Sequence, residues 1–422
     1  MKIFERGHSG GSLWTRGYTI ITVGSLISML GNTLAGFAIS LLVLDYTHST
    51  FCYALYLVIY MCPRIVMPIL AGPLLDRFSR RRAIFMLDFF SSGFYVLLAA
   101  VLHTGWFNFA FFLAACFILG SVDSIYGVAY ESFYPLLVTK DNYSKAYSVS
   151  STLETLALVA TPLSALIYKK VGIVPLFLVD AVSYFAAAVM ETRIRVDEAQ
   201  CEKHKAGVSS AVRTAFRRFR GDFREGILYL RGERGLLAIA AYFSVSAFSA
   251  GASQVITLPY FKSAYRQGIE IYIVVWGIGM LGRLVGGGLH YRISLPAKSR
   301  YAVALTVYIA TSLLEGTYLY FSVTAMMVMC FAEGIFGITS YNIRLSATQS
   351  YVPNDRKGRF NGTFATMSAV GTLVGQLAAG GLSEVLPNRV VLSACMGVCA
   401  LAAAVLIGGN KKSVSAIYNA EV

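Results

Sequence analysis

Four polar side chains stand inside long apolar stretches: Asn32, Arg64, Asp123 and Glu154. An ionisable group at the centre of a membrane helix costs about 2.5–3.5 kcal/mol on insertion scales, so each one needs a partner or a task. Counted from the ends of their apolar runs at about 1.5 Å per residue, Arg64 and Glu154 both fall near the middle of a bilayer. Asn32 is equally deep, and Asp123 is displaced by a turn or two toward the side of the basic loops. Such groups suit proton exchange. Burial disfavours a carboxylate and a nearby guanidinium favours it, so a carboxyl held between the two can load and release a proton as water access changes. A static ion pair that fixes helix packing is the alternative reading.

The elements that must position these groups follow from composition. Of 422 residues, 56% are hydrophobic and 14% charged, against about a quarter charged in a soluble domain. The apolar residues come in blocks, such as 18–44 and 83–102, that reach the ~20 residues a membrane helix requires. Strands of a membrane barrel alternate apolar with polar residues, whereas these blocks are apolar nearly all round. The pattern predicts twelve spans over 17–44, 51–74, 83–102, 107–134, 144–168, 173–192, 235–261, 268–291, 301–321, 324–351, 360–383 and 390–408. The fold class expected is an all-α membrane protein. Most of the 36 Lys and Arg fall in the termini and the even-numbered loops; the opposite loops hold Lys169, Lys170, Lys262, Arg266 and Arg389. The positive-inside rule then sets both termini in the cytoplasm and the protein in the cell (inner) membrane as a multi-pass chain. The same bias accounts for the net charge of +14, so nucleic acid is not a partner, whereas membrane lipid is. The first apolar block is too long, and lacks the cleavage site, for a signal peptide. The seven cysteines form no C-x-x-C pair and imply neither a metal nor a disulfide framework.

The chain repeats itself. Gly72 and Leu75 close the second span as Gly286 and Leu289 close the eighth, a shift of 214 positions. The same shift lays Phe117 and Gly120 on Phe331 and Gly334, Ser132 on Ser346, Val138 on Val352, Asp141 on Asp355 and Lys145 on Arg359. Six spans separate equivalent positions, so the halves are two parallel-repeat six-helix bundles about an axis along the membrane normal. The expected domains are an N-terminal bundle over 1–192, a cytoplasmic linker over 193–234 and a C-terminal bundle over 235–422. In the linker, Val212, Phe216, Phe219, Phe223, Ile227 and Leu230 recur at helical spacing with arginines between them. That pattern predicts a basic amphipathic helix on the cytoplasmic leaflet.

Gly72-Pro-Leu-Leu-Asp76-Arg77-Phe-Ser-Arg80-Arg81-Arg82 matches the pattern G-x-x-x-D-R-x-x-R-R-x, and on it the chain resembles the major facilitator superfamily. Asp222-Phe-Arg-Glu-Gly226 before the seventh span, and Val352-Pro353 followed by Lys357-Gly358-Arg359, are similar to the drug-proton antiporter branch that includes macrolide and siderophore exporters. The resemblance implies that Gly72, Asp76, Arg77, Arg80 and Arg81 form a cytoplasmic gate, and that spans 1, 2, 4 and 5 border a central cavity. There Arg64 and Glu154 would pair, with Asp123 and Asn32 nearby, as the proton-coupling and substrate site. It also brings span 10 to the cavity and leaves span 9 peripheral, so Glu333 becomes a secondary candidate and Glu315 a packing or snorkelling residue. Arg344 and Glu131 lie near span ends, where gate or headgroup contacts are expected. Asp45, Asp88, Asp180 and Arg283 lie closer to the interfaces, with little expectation of direct function. The fifth span reads Thr161-Pro162-Leu163-Ser164-Ala165 where exporters of the superfamily carry G-P-x-x-G-G, which weakens the antiport signature.

No zinc-protease, nucleophile-elbow or phosphate-loop motif is present in the sequence, so an enzyme is not expected and no cofactor or metal is implied. The function expected is secondary active transport by alternating access: proton-coupled export of a small amphiphilic compound, drug-like or siderophore-like, by a monomer. An importer or lipid flippase of the same fold is the alternative, followed by a channel or receptor. Tyr126, Tyr130, Phe243, Phe248 and Tyr341 could wall a pocket for a bulky amphiphile. Asp76, Arg64 and Glu154 have no charged counterparts at His290, Ile278 and Ser368, so coupling is expected mainly in the first half.

Overall fold

A backbone in hydrocarbon must satisfy its own hydrogen bonds, and the apolar runs accordingly fold as helices. The structure, a computed structural model, describes residues 13–75, 78–139, 142, 145–146, 149–150, 152–153, 161–194, 208–292 and 295–420. The first part of the chain forms α1 (Arg16–Thr47), α2 (Thr50–Met61), α3 (Pro63–Leu75), α4 (Arg80–His103) and α5 (Phe109–Phe133). After them come α6 (Thr161–Val171), α7 (Ile173–Glu191) and α8 (Val208–Gly232). The rest forms α9 (Arg234–Ala264), α10 (Gly268–Arg292), α11 (Arg300–Thr317), α12 (Val323–Tyr351), α13 (Asn354–Leu382), α14 (Asn388–Ala402) and α15 (Lys411–Tyr418). Among the described residues there is no strand, and 11 helices are long and apolar enough to cross a membrane. Of the span predicted over 144–168, positions 144, 147–148, 151 and 154–160 lie outside the described residues; its end is seen as α6, which runs three residues further.

Local sequence sets the ends. Ser79, Asn108 and Ser322 cap α4, α5 and α12 by accepting the backbone N–H three residues on, the usual use of a short polar side chain there. Pro353 and Pro387 precede α13 and α14. The predicted span over 51–74 is found as one apolar stretch, Thr50–Ala71, whose helix is interrupted at Cys62 between α2 and α3, because Pro63 brings no N–H and its ring crowds the preceding turn. α15 has no counterpart among the predicted spans. It is seated by Val414, Ile417 and Tyr418, all buried, and Tyr418 Oη lies 2.9 Å from Tyr308 Oη.

The chain divides into two compact units, one of Met1–Tyr46 and Cys62–Phe216, the other of Thr47–Met61 and Arg217–Val422. The break at Cys62 is thus also where the chain passes between units. In the first unit α4 packs along α7, and α3 against α5. In the second, α9 pairs with α13 and α10 with α12. Both pairs are drawn together by glycine: a Cβ at Gly375 would overlap the Phe248 carbonyl, and one at Gly334 the Gly279 carbonyl. Small residues let membrane helices approach to backbone contact, where dispersion holds them.

Segment α2 packs on α13, with Ala54 against Gly380. Just past α13, Glu384 Oε1 accepts the Phe51 amide at 2.9 Å and the Ser49 hydroxyl at 2.7 Å. The carboxylate thereby closes the N-terminus of α2, where backbone donors and the helix dipole favour an anion. The Phe51 amide, then the Ser49 hydroxyl, hold the Glu384 carboxyl below its ordinary range. A carboxyl that titrates lower when folded stabilises the fold fully above its unfolded value, about 4.3, and loses that contribution as pH falls through the folded one. The melting temperature of Glu384→Gln is therefore expected to lie slightly below that of the wild type at neutral pH and to converge with it on acidification. A gap that is constant with pH would contradict the clasp.

Helix α8 shows the predicted amphipathic spacing over its described residues, but one end of it is docked on protein. A Cβ at Gly226 would overlap Thr363 of α13, and Leu230 is fully buried. Arg359 of α13 pairs with Glu225 at 3.0 Å and with Asp222 at 3.7 Å. The two sequence cues that resemble the antiporter branch therefore touch each other. These ion pairs are half exposed and worth little alone, whereas the glycine contact fixes where the helix sits.

Candidate functional site

The second unit encloses two adjoining cavities, of about 320 Å³ and about 450 Å³, which share Ala250, Arg283, Glu315 and Glu333. Four helices line both cavities, and α13 and α14 add Phe364 and Met396 to the larger one. α9 brings Ser253 and Gln254, α10 brings Trp276 and Arg283, α11 brings Glu315, and α12 brings Glu333. Glu315 is hydrogen-bonded to Ser253 and interacts electrostatically with Glu333, which faces Arg283 across the space. Gln254 accepts from Gln376 of α13 at 3.1 Å, which fixes its amide. In the larger cavity Arg344 is caged by three rings, its guanidinium 4.7 Å from the centre of Phe364, 5.1 Å from Phe243 and 5.4 Å from Tyr341. Each cation–π contact is worth about 0.5–2 kcal/mol, more when water is excluded. The arrangement offers two carboxyls and two guanidiniums inside an aromatic wall, which suits an amphiphile with a polar head.

This placement corrects three expectations. Glu315 faces the cavity instead of packing outward, because α11 lies against α12 on that side. Arg344, expected at a gate or headgroup, is a cavity residue. Arg283, expected near an interface, lines both cavities. Glu333 lines both cavities. Phe243 and Tyr341 wall the larger cavity, as their spans suggested. The shift of 214 takes Glu315 to Val101 and Glu333 to Leu119, so these carboxyls are as particular to the second half as Arg64 and Glu154 are to the first.

Among the first-half candidates, Glu154, Asp76 and Arg77 lie outside the described residues. Arg64 stands in the first turn of α3, directly after the break, and is exposed; Asn32 in α1 and Asp123 in α5 are half-buried. Asp123 acts electrostatically on Asp88 and Asp180. Gly72 lies in the last turn of α3. The loop arginines are anchored within the first unit: Arg80 donates to the Ser132 carbonyl at 3.1 Å and Arg81 to the Thr192 carbonyl at 3.0 Å. Both partners are at helix C-terminal ends, where a cation is favoured. In the degraded second copy, His290 Nε2 lies 2.8 Å from Thr339 Oγ1, so the histidine ties α10 to α12.

Sequence reasoning missed the burial of Asp88, Asp180 and Glu191, which are 1%, 0% and 1% exposed. Asp88 and Asp180 were placed near interfaces by counting residues from span ends. That count gives depth and says nothing about which side of the helix faces protein.

A membrane-spanning helical protein with a charged, aromatic-walled cavity in one of its units has the build of a small-molecule transporter. The Major Facilitator Superfamily matches residues 21–375, and the chain belongs to that family. It is 25% identical over 302 residues to YkuC of Bacillus subtilis (strain 168), an uncharacterized MFS-type transporter, covering 70% of this chain and 69% of that one. A crystal structure of a peptide transporter, POT, is similar with a TM-score of 0.70 at 13% identity, over 97% of both chains. A bacterial homologue of the iron transporter ferroportin in an inward-facing state gives 0.66 at 16% identity, over 96% of this chain and 100% of that one. These likenesses show the fold.

Proposed function

We propose that the protein exports a small amphiphilic compound, drug-like or siderophore-like, in exchange for protons, by alternating access in the cell membrane with both termini cytoplasmic. The observation that carries this reading is the pair of cavities around Glu315, Glu333 and Arg283. The apolar body of a substrate lies against Trp276, Tyr272 and Phe243, and its cationic or polar head meets the carboxyls. A proton and a cationic head compete for the same carboxylates, so taking one releases the other; that competition is the whole of the coupling required. Arg283 offsets one negative charge, which keeps the site open to neutral polar heads. Glu154 and Arg64 are retained as a further coupling pair on the first half.

Flux in proteoliposomes tests the reading. With the purified protein and an imposed pH gradient, a cationic dye is expected to move saturably against the proton gradient, and macrolides or siderophores to compete with it. Dye movement that is indifferent to the gradient removes proton coupling. Transport of lysolipid alone favours a flippase, and non-saturating currents in a planar bilayer favour a channel.

A further inference from the structure

The first unit holds a second set of carboxyls, which the cavity reading does not use. Asp88 on α4 and Glu191 at the end of α7 are each 1% exposed, and their side chains are in hydrogen-bonding contact with each other. Tyr126 Oη of α5 donates to Glu191 Oε1 at 3.4 Å. One oxygen of each acid, Asp88 Oδ2 and Glu191 Oε2, has no donor among the described residues. On the α1 side, a Cβ at Gly24 would stand 3.8 Å from Glu191 Oε1, so that helix packs beside Glu191. Further along α7, Asp180 is 0% exposed, accepts from Ser183 Oγ at 3.1 Å and is hydrogen-bonded to Tyr95, with Oδ2 again lacking a donor among the described residues.

Among the described residues, the charged groups that act most strongly on Asp88 are acidic: Glu191, Asp123 from α5 and Asp180 from α7. The phenols of Tyr126 and Tyr130 complete the α5 side. A cation reaches this end of the bundle in Arg81, which donates to the carbonyl of Thr192, the residue after Glu191. Two carboxylates in contact inside an apolar bundle repel too strongly for both to be ionised; a proton held between them converts repulsion into a hydrogen bond. The unpartnered oxygens tell the same story. Oxygens so thoroughly buried without a donor are costly unless a proton sits on one of them.

We propose that Asp88 and Glu191 form a proton-binding site in which one proton is shared between the two carboxyls, and that Asp180 of α7 and Asp123 of the neighbouring α5 extend it as a file of acids. From Glu191 to Asp180 the file covers roughly 16 Å of helix, about half the hydrocarbon thickness. A proton entering or leaving moves between carboxyl oxygens without any covalent change elsewhere. The use of this proton for exchange rests on the transport reading above; its binding does not.

Infrared spectroscopy of the purified full-length protein in lipid tests the site directly. At neutral pH the wild type is expected to show the carbonyl band of a protonated carboxyl, moving on transfer to heavy water. Asp88→Asn and Glu191→Gln each keep a side-chain hydrogen bond across the pair and are each expected to lose that band. Tyr126→Phe removes only a hydroxyl and is expected to move the band without abolishing it, which keeps the test open if either neutral variant fails to fold. No protonated-carboxyl band at neutral pH, or a band indifferent to all three substitutions, overturns the proposal. If the band behaves as expected while dye flux ignores the pH gradient, the site stands and the exchange reading falls. Gradient-driven flux without the band gives the converse.

Discussion

Glu333→Gln is expected to lower gradient-driven export by more than about tenfold, a barrier increase of roughly 1.4 kcal/mol, while the protein folds and loses less of its equilibrium dye binding, which Glu315 still supports. Glutamine matches glutamate in shape and keeps an oxygen toward Arg283 across the cavity, but it cannot be ionised. The site loses the state in which it attracts a cationic head and the state change by which a proton would expel it. Glu315→Gln is expected to act in the same direction and less severely, because Glu315 already has Ser253 as a hydrogen-bond partner and an amide preserves that contact. Glu333→Asp, which keeps the acid on a shorter stem, should recover part of the flux. The informative comparison is between equilibrium dye binding and flux in the same proteoliposomes. Equal loss of both would mean that Glu333 only binds; wild-type flux in Glu333→Gln would remove it from the mechanism.

The second large effect concerns packing. Gly375→Val is expected to prevent recovery of folded protein, because a Cβ there overlaps the Phe248 carbonyl, a backbone atom that cannot rotate away. Added volume in a packed interior costs about 1–3 kcal/mol when side chains can yield; here α9 and α13 must separate along their contact. Gly334→Val should behave likewise, since its Cβ meets the Gly279 carbonyl and the Arg283 amide, and it would also displace the cavity arginine. Gly397→Ala is the control: nothing lies within 4 Å of a Cβ there, and removing a glycine from a helix interior is favourable by about 0.5–1 kcal/mol. Yield of monodisperse protein and the melting temperature report the result. Gly375→Val as stable as Gly397→Ala would show that the α9–α13 contact is not a constraint.

Long apolar runs made the helices readable, since a membrane leaves the backbone few options, and the 214-residue shift made the repeat readable. Lateral placement was not. The span of Glu333 points to the cavity, but nothing in the span of Glu315 signals that its position on α11 sets it against Ser253 and Glu333. Asp88 and Glu191 lie on different helices about a hundred residues apart, and no periodicity within either helix signals that they meet. The cue Asp222 to Gly226 and the cue Lys357 to Arg359 were each visible, but their contact depends on how α8 docks. The break at Cys62 was foreseeable from Pro63. It was overridden by the unbroken hydropathy around it.

The clasp of Glu384 on α2 has a consequence for how the protein is made. Ser49 and Phe51 precede their carboxylate by 335 and 333 residues. At about 5–20 residues per second, α2 leaves the ribosome on the order of 20 to 70 seconds before Glu384 exists. Throughout that interval the first donors of α2 must rely on water or lipid headgroups, and the surface that will meet Gly380 is uncovered. Assembly therefore finishes late and backwards, with one of the last segments synthesised closing over one of the first. A chain stopped just short of Glu384 would carry nearly all its spans into the membrane and still offer quality-control proteases an open seam at α2.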